Sequence, residues 1–150
     1  YRQVLDKKPG IGPLMGLYSG LLESKTRYSF VTACDMPFFR KELFSYLFSL
    51  TEGYDVVIPD IQGYMEPMFA FYSRDCIPEI EKALDRKESK MRSFFHRIKK
   101  LSVDKEHLEK YDPGLVSFFN INTHRDYESV KKYYEEQSQK KVAPFILGGY

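Results

Sequence analysis

The sequence predicts an α/β domain, in which a β-sheet is covered by helices. Short apolar segments rich in β-forming residues alternate with segments whose apolar residues recur at helical spacing. No internal repeat or low-complexity linker interrupts this alternation. A chain of 150 residues with a hydrophobic fraction of 43% is long enough to bury one substantial core.

The N-terminal half has the patterns of two helices and three strands. Pro37 prevents simple continuation of the first strand, and Gly63 marks a turn between the second and third strands. The helices are expected over residues 17–22 and 39–50, and the strands over residues 28–33, 55–59 and 68–72.

The C-terminal half has weaker patterns. Thr123, with Asp126 three residues later, is a good helix N-cap. Helices are expected over residues 77–84, 90–99 and 123–134, a short strand over 101–104, and a strand that runs into a glycine turn over 142–149.

Charge and composition exclude several classes of protein. A net charge of +2 is too small to favour nucleic acid or an anionic membrane surface, and no apolar run is long enough to span a bilayer. The two cysteines, Cys34 and Cys76, form no CxxC pair, which predicts reduced thiols in a cytoplasmic protein and no zinc site. Cys34 ends an apolar run and is expected to be buried.

A glycine-proline cluster, Gly10 to Gly16, precedes the first helix. Gly12 and Gly16 let a ligand approach the backbone, and the N–H groups at a helix start can bind an anion or a base edge. Such clusters are also common as plain turns, and this alternative stays open.

Asp35 follows the end of a buried strand. Ligands of open α/β sheets bind beyond the carboxyl ends of the strands, and one carboxylate together with substrate phosphates is a common way to hold Mg²⁺. The alternative is that Asp35 only caps the following turn.

Asn120 and Asn122 form the third candidate motif. At strand spacing both side chains would face the same side, where two amides can recognise a ligand with several acceptors. The alternative is a simple helix-entry turn.

In their order and spacing, these motifs resemble the MobA family of molybdenum cofactor guanylyltransferases. Asp6 resembles an acidic position of the family's nucleotide site. The resemblance covers about residues 4–134, and its matching segments are Gly12–Gly16 (GPLMG), Asp35–Phe38 (DMPF), Glu66–Tyr72 (EPMFAFY) and Phe119–Thr123 (FNINT).

The resemblance implies a Rossmann-like, three-layer α/β/α nucleotidyltransferase domain with a mostly parallel sheet. It implies transfer of GMP from GTP to molybdopterin with release of pyrophosphate, and contact with other proteins of molybdenum cofactor synthesis. Asp6, Gly12, Pro13 and Gly16 would bind the nucleotide, Asp35 would be catalytic and hold Mg²⁺ against the nucleotide, and Asn120 and Asn122 would bind the pterin substrate.

The chain also departs from the family pattern. The family's N-terminal glycine-rich loop, LxGGxSxRMGxDK, does not precede Tyr1, so we expect an incomplete transferase domain over residues 1–139. Residues 140–150 form a tail that resembles a strand and a glycine turn. Within it, residues 145–149 resemble the start of that loop and would be a joined or displaced segment, the start of a fused domain, or chance; we expect this segment to pair as a strand beside residues 30–33. Residues 85–90 of this chain depart from the family pattern, since relatives usually have a glycine and an arginine there. Lys90 or Arg92 would supply the positively charged side chain.

The sequence leaves open three alternatives to a guanylyltransferase. The first is a related transferase that uses CTP or another phosphorylated acceptor, although the family's cytidine-specific members differ at GPLMG. The second is a nucleotide-binding subunit without catalysis. The third is an RNA-binding domain that uses a basic helix over residues 90–99, which the small net charge disfavours.

Overall fold

The fold is built around a five-stranded mixed sheet. The structure, a computed structural model, describes residues 3–141, with side chains to residue 136. The strands are β1 (Tyr28–Thr32), β2 (Val56–Ile61), β3 (Tyr64–Met65), β4 (Phe69–Ser73) and β5 (Lys100–Asp104). β4 pairs with β1 on one side and with β2 on the other, β5 pairs with the far side of β2, and β3 forms a hairpin with the end of β2.

Helices alternate with the strands, and four of the five described α-helices overlap helices that the sequence predicts. The α-helices are α1 (Pro13–Glu23), α2 (Lys41–Ser49), α3 (Ile77–Asp85), α4 (Lys105–Glu109) and α5 (His124–Lys141), and short 3₁₀ turns cover Arg74–Cys76, Phe95–Arg97 and Pro113–Phe118. Thr123 caps α5 as expected, because its hydroxyl accepts from the Asp126 N–H while the Asp126 carboxylate accepts from the Thr123 N–H.

Alternating side chains of the sheet build two hydrophobic cores, one on each face. Val56 and Ile58 join α1 and α3 in what we call the first core. Val57 joins α2 and α4 in the second core. Since successive residues of a strand point to opposite faces, this division places helices on both sides of the sheet. The α/β class and the three-layer α/β/α arrangement are confirmed.

The expectation of a mostly parallel sheet is wrong for the described strands. Only β2 and β5 form a parallel ladder, from Val56 opposite Lys100 to Asp60 opposite Asp104. The β1–β4, β2–β4 and β2–β3 ladders are antiparallel. β2, β3 and β4 follow one another through turns of a few residues, which are too short for the crossover that parallel neighbours need.

The helix expected over residues 90–99 is also wrong. Its backbone N–H groups bond three residues back, from Ser93 to Lys90, from Phe95 to Arg92 and from Arg97 to Phe94. Three-residue turns bring Met91, Phe94 and Phe95 into the first core as well as an α-helix would. The same apolar spacing therefore fits both structures.

Two smaller expectations meet different outcomes. Cys34 is exposed rather than buried, because it lies in the turn after β1 ends at Thr32. The strand expected over residues 142–149, and its pairing beside residues 30–33, lie outside the described residues.

Within residues 3–141, no helix combines the length and apolar character needed to cross a bilayer.

Candidate functional site

An apolar cavity of about 320 Å³ lies between α1 and β1. Gly16 and Gly20 face it one helical turn apart, where side chains would narrow the space. Its walls are Pro13, Gly16, Leu17, Gly20, Leu21, Ser29, Phe30, Val31, Met68 and Met91.

The glycine-proline turn, residues 10–16, forms one end of this cavity. Gly12 has φ 113° and ψ −176° and precedes Pro13, the first residue of α1. A Cβ on Gly12 would lie 3.3 Å from the Cβ of Ser89, and the Leu14 N–H donates to the Ser89 carbonyl at 3.3 Å. The turn therefore needs glycine both for its backbone angle and for its close approach to Ser89.

Asp6 lies beside the same turn. A Cβ built on Gly16 would be 3.6 Å from the Asp6 Oδ1 atom, and the Asp6 side chain is exposed. The structure thus brings together Asp6, Gly12, Pro13 and Gly16, the four residues expected to bind the nucleotide besides Asp35.

Asp35 lies in the strand-end loop, residues 33–38, that follows β1. The chain turns there, with the Met36 N–H donating to the Ala33 carbonyl at 3.3 Å. Asp35 is half-buried, and its carboxylate makes no hydrogen bond or ion pair with the described part of the chain. It lies at the edge where β1, β2 and β5 all end, since these three strands run in one direction. This is the edge at which α/β sheets bind ligands.

The asparagine segment, residues 119–123, lies directly against Asp35. The Ile121 N–H donates to the Asp35 carbonyl at 2.8 Å. Asn120 is half-buried and its Oδ1 atom is buried without a hydrogen-bond partner, whereas Asn122 is exposed. The segment is not a strand, so the predicted strand spacing of the two amides is wrong: the preceding 3₁₀ turn, with positive φ at Gly114 and Leu115, redirects the chain.

Met68 links the two halves of the site. Its side chain lines the cavity together with Pro13 and Gly16. Its carbonyl accepts from the Ala33 N–H at 3.0 Å, two residues before Asp35. The glycine-proline turn and the strand-end loop therefore adjoin the same short stretch of chain.

Sequence reasoning did not single out the charge of Glu66. This half-buried residue begins the Glu66–Tyr72 segment, and burial raises the pKa of its carboxyl above the ordinary value of 4.5. The Arg92 guanidinium opposes that rise. The motif itself was visible in the sequence, but its burial and its charged neighbour come from distant parts of the chain.

The basic residues near the site are those of the loop after α3. Lys90 and Arg92 are both exposed, and the loop contacts the glycine-proline turn through Ser89. Because residues 90–99 form turns, they do not provide the continuous basic helix that an RNA-binding domain would use. No cluster of three or more His, Cys, Asp or Glu residues suited to a metal ion occurs within residues 3–141.

Known proteins resemble this chain in sequence. The model of the MobA-like NTP transferase domain matches residues 1–103. A probable molybdenum cofactor guanylyltransferase of Methanosarcina mazei is 40% identical over 131 residues, which are 86% of this chain and 58% of that protein. One of Pelotomaculum thermopropionicum is 38% identical over 83% of this chain and 61% of its own length.

A solved structure shows the same fold. The molybdopterin-guanine dinucleotide biosynthesis protein A of Archaeoglobus fulgidus is 30% identical, with a TM-score of 0.74 over 87% of this chain and 67% of that chain. The chain spans about three fifths of the length of the curated relatives it matches. With the family model covering more than half of its residues, the chain belongs to the MobA-like NTP transferase domain family.

Proposed function

We propose that this chain is the greater part of a molybdenum cofactor guanylyltransferase, which transfers GMP from GTP to molybdopterin and releases pyrophosphate. The observation that supports it most is that three motifs adjoin one another. Met68 lines the cavity with the glycine-proline turn and bonds the strand-end loop, and the asparagine segment bonds Asp35 of that loop. The names of the relatives supply the reaction.

The proposed roles follow the two halves of the site. Gly12, Pro13 and Gly16 bind the guanine and ribose, and Asp6 lies beside them in the nucleotide site. Gly16 and Gly20 of α1 have no side chains there, which leaves room for a flat ring. On the other side, Asn120 and Asn122 bind the pterin substrate, and the buried Asn120 Oδ1 atom is an acceptor without a donor among the described residues.

Asp35 is the proposed magnesium ligand. Its half-buried carboxylate has no protein partner among the described residues, so it is free to coordinate a hard cation that takes its other ligands from water and phosphate. When bound, Mg²⁺ would neutralise charge on the triphosphate. The chain's own contribution is to hold the Asp35 carboxylate at the strand end, through the Ile121 hydrogen bond to the Asp35 carbonyl.

The reaction is a displacement at phosphorus. A phosphate oxygen of molybdopterin forms a bond to the α-phosphorus of GTP, the bond from that phosphorus to the bridging oxygen breaks, and pyrophosphate leaves with the bonding electrons. Both reactants are anionic, so the main barrier is charge repulsion, which Mg²⁺ and a cation from the Lys90–Arg92 loop would reduce. No covalent intermediate on the protein is needed.

The remaining expectations belong to the same proposal. Residues 1–139 would form the transferase domain, working in the cytoplasm with its two cysteines unpaired and meeting other proteins of molybdenum cofactor synthesis.

The activity is tested by pyrophosphate release from the whole-length protein with molybdopterin and either GTP or CTP. We expect turnover with GTP and a much lower rate with CTP. Equal rates would contradict the guanine assignment, and no release with either nucleotide would contradict the transferase.

Asp35→Asn tests the metal role. The amide is nearly the same size but has no charge to offset the cation, so we expect folding to persist and turnover to fall by roughly 100- to 1000-fold. Glu52→Gln is the matched control, because the exposed Glu52 lies before β2, at the opposite edge of the sheet. Normal turnover in Asp35→Asn would remove Asp35 from the metal site.

A further inference from the structure

Glu66 has a carboxylate that lacks protein partners. The residue is half-buried, and its side chain makes no hydrogen bond or ion pair within the described part of the chain. An ionised carboxylate only accepts hydrogen bonds, so a ligand that binds it must present N–H or O–H donors. The two carboxylate oxygens of Glu66 are therefore available to accept hydrogen bonds from a ligand.

The backbone around Glu66 is held firmly. The Glu66 N–H donates to the Pro59 carbonyl at 3.0 Å, and the Glu66 carbonyl accepts from the Phe69 N–H at 3.1 Å. The Tyr72 hydroxyl donates to the next carbonyl, that of Pro67, at 2.7 Å. These bonds fix the point from which the carboxylate extends.

The surroundings of Glu66 suit a flat, mostly apolar ring. Met68, two residues later, lines the cavity, and so does Met91, the neighbour of Arg92. Arg92 is near enough to lower the pKa of Glu66 but makes no ion pair with it. Glu66 thus lies two residues from a wall of the cavity, and a hydrogen bond to its charged carboxylate would be stronger than one to a neutral acceptor.

We infer that Glu66 accepts hydrogen bonds from the N–H and NH₂ groups along one edge of a 2-amino-4-oxo ring. This edge is common to guanine and pterins, and the inference rests on the proposed function, which supplies both rings. Its two adjacent donors match the two oxygens of a carboxylate. Cytosine presents one donor beside an acceptor, so it would leave one carboxylate oxygen unsatisfied. The contact would therefore select the ring.

Two pairs of ligands that differ at the 2-amino group test the inference. Dissociation constants are measured by calorimetry for GTP against ITP and for pterin against lumazine, each with Mg²⁺, on the wild-type protein, Glu66→Gln and the control Glu52→Gln. In one pair we expect the 2-amino compound to bind about tenfold or more tightly, as a lost charge-assisted hydrogen bond predicts. The pair of ligands that shows this preference identifies whether Glu66 binds guanine or the pterin ring.

Glu66→Gln should reduce that preference to less than about threefold, while Glu52→Gln retains it. The glutamine is isosteric and removes a half-buried charge, so we expect circular dichroism to show a folded protein. A change in melting temperature with an unchanged preference would indicate a purely structural role and overturn the inference.

The wild-type protein alone provides a second check. Binding of GTP without a 2-amino preference in either pair would overturn the role of Glu66 and leave the proposed function intact. If the wild-type protein bound neither GTP nor pterin, both proposals would fail.

Discussion

Gly12 combines an unusual backbone angle with a close contact. Its φ of 113° lies in the region that favours glycine, and a Cβ would come within 3.3 Å of the Ser89 Cβ. Gly20, on the same helix, has nothing within 4 Å of its would-be Cβ and an ordinary φ. A side chain at position 12 would therefore be strained, whereas one at position 20 would not.

Alanine at these two positions should change stability in opposite directions. We expect Gly12→Ala to lower the free energy of unfolding by about 1–3 kcal/mol through backbone strain. Gly20→Ala should raise it by about 0.5–1 kcal/mol, because alanine loses less entropy in a helix. Urea denaturation checks both, and equal effects of the two changes would contradict the argument.

The buried carboxylate of Asp112 pairs with Arg40, which lies two residues after the strand-end loop. Asp112 is 0% exposed, its Oδ2 atom accepts from the Ser117 N–H at 2.9 Å, and its Oδ1 atom lies 3.7 Å from the Arg40 Nε atom. Arg40 directly precedes α2, so this ion pair joins the start of α2 to the turn that precedes the asparagine segment. The pair thus connects the chain that follows the strand-end loop to the chain that precedes the asparagine segment.

Removing the cation should therefore destabilise the fold. Arg40→Met retains the apolar stem and leaves the Asp112 charge buried with one hydrogen bond. We expect a loss of about 1–3 kcal/mol, less than for a fully buried pair because Arg40 is partly exposed. Lys41→Met is the control, since Lys41 is exposed at the next position. A loss no larger than that of the control would show that the pair does not stabilise the fold.

Elements defined by local periodicity were predictable, and those defined by distant contacts were not. β1, β2, β4 and α1 to α3 each follow from their own apolar spacing. β3 has two residues and α4 has five, so neither is long enough to show a period.

The candidate site divides in the same way. Gly12, Asp35 and Asn120 follow recognisable local motifs. The burial of Glu66, the Ser89 contact and the Asp112–Arg40 pair depend on which segments the fold brings together, and single-sequence patterns contain no such information.

At the scale of the whole molecule, the two thiols differ strongly in accessibility. Cys34 is exposed, whereas Cys76 is buried in the first core and its thiol donates to the Asp55 carbonyl. Burial, with a smaller contribution from Asp55, raises the pKa of the Cys76 thiol to about 12. Since the thiolate is the reactive form, Cys76 should be inert in the folded protein.

Thiol titration with a chromogenic disulfide tests this difference. In the native protein we expect one thiol to react rapidly, and two after unfolding in urea. Cys34→Ser should abolish this rapid reaction. The slow reaction of Cys76 should remain, because its rate is set by how often the first core opens. Two rapid thiols in the native protein would mean that the first core is open to the reagent.

The division into two cores has a consequence for how such a transferase can diversify. The glycine-proline turn rests on the first core through Leu14 and Met91, while the strand-end loop rests on the second through Met36. The sheet separates these two foundations. Substitutions in the first core, beneath the proposed nucleotide-binding turn, can therefore accumulate and admit a different nucleobase, while the second core keeps Asp35, the proposed magnesium ligand, in place.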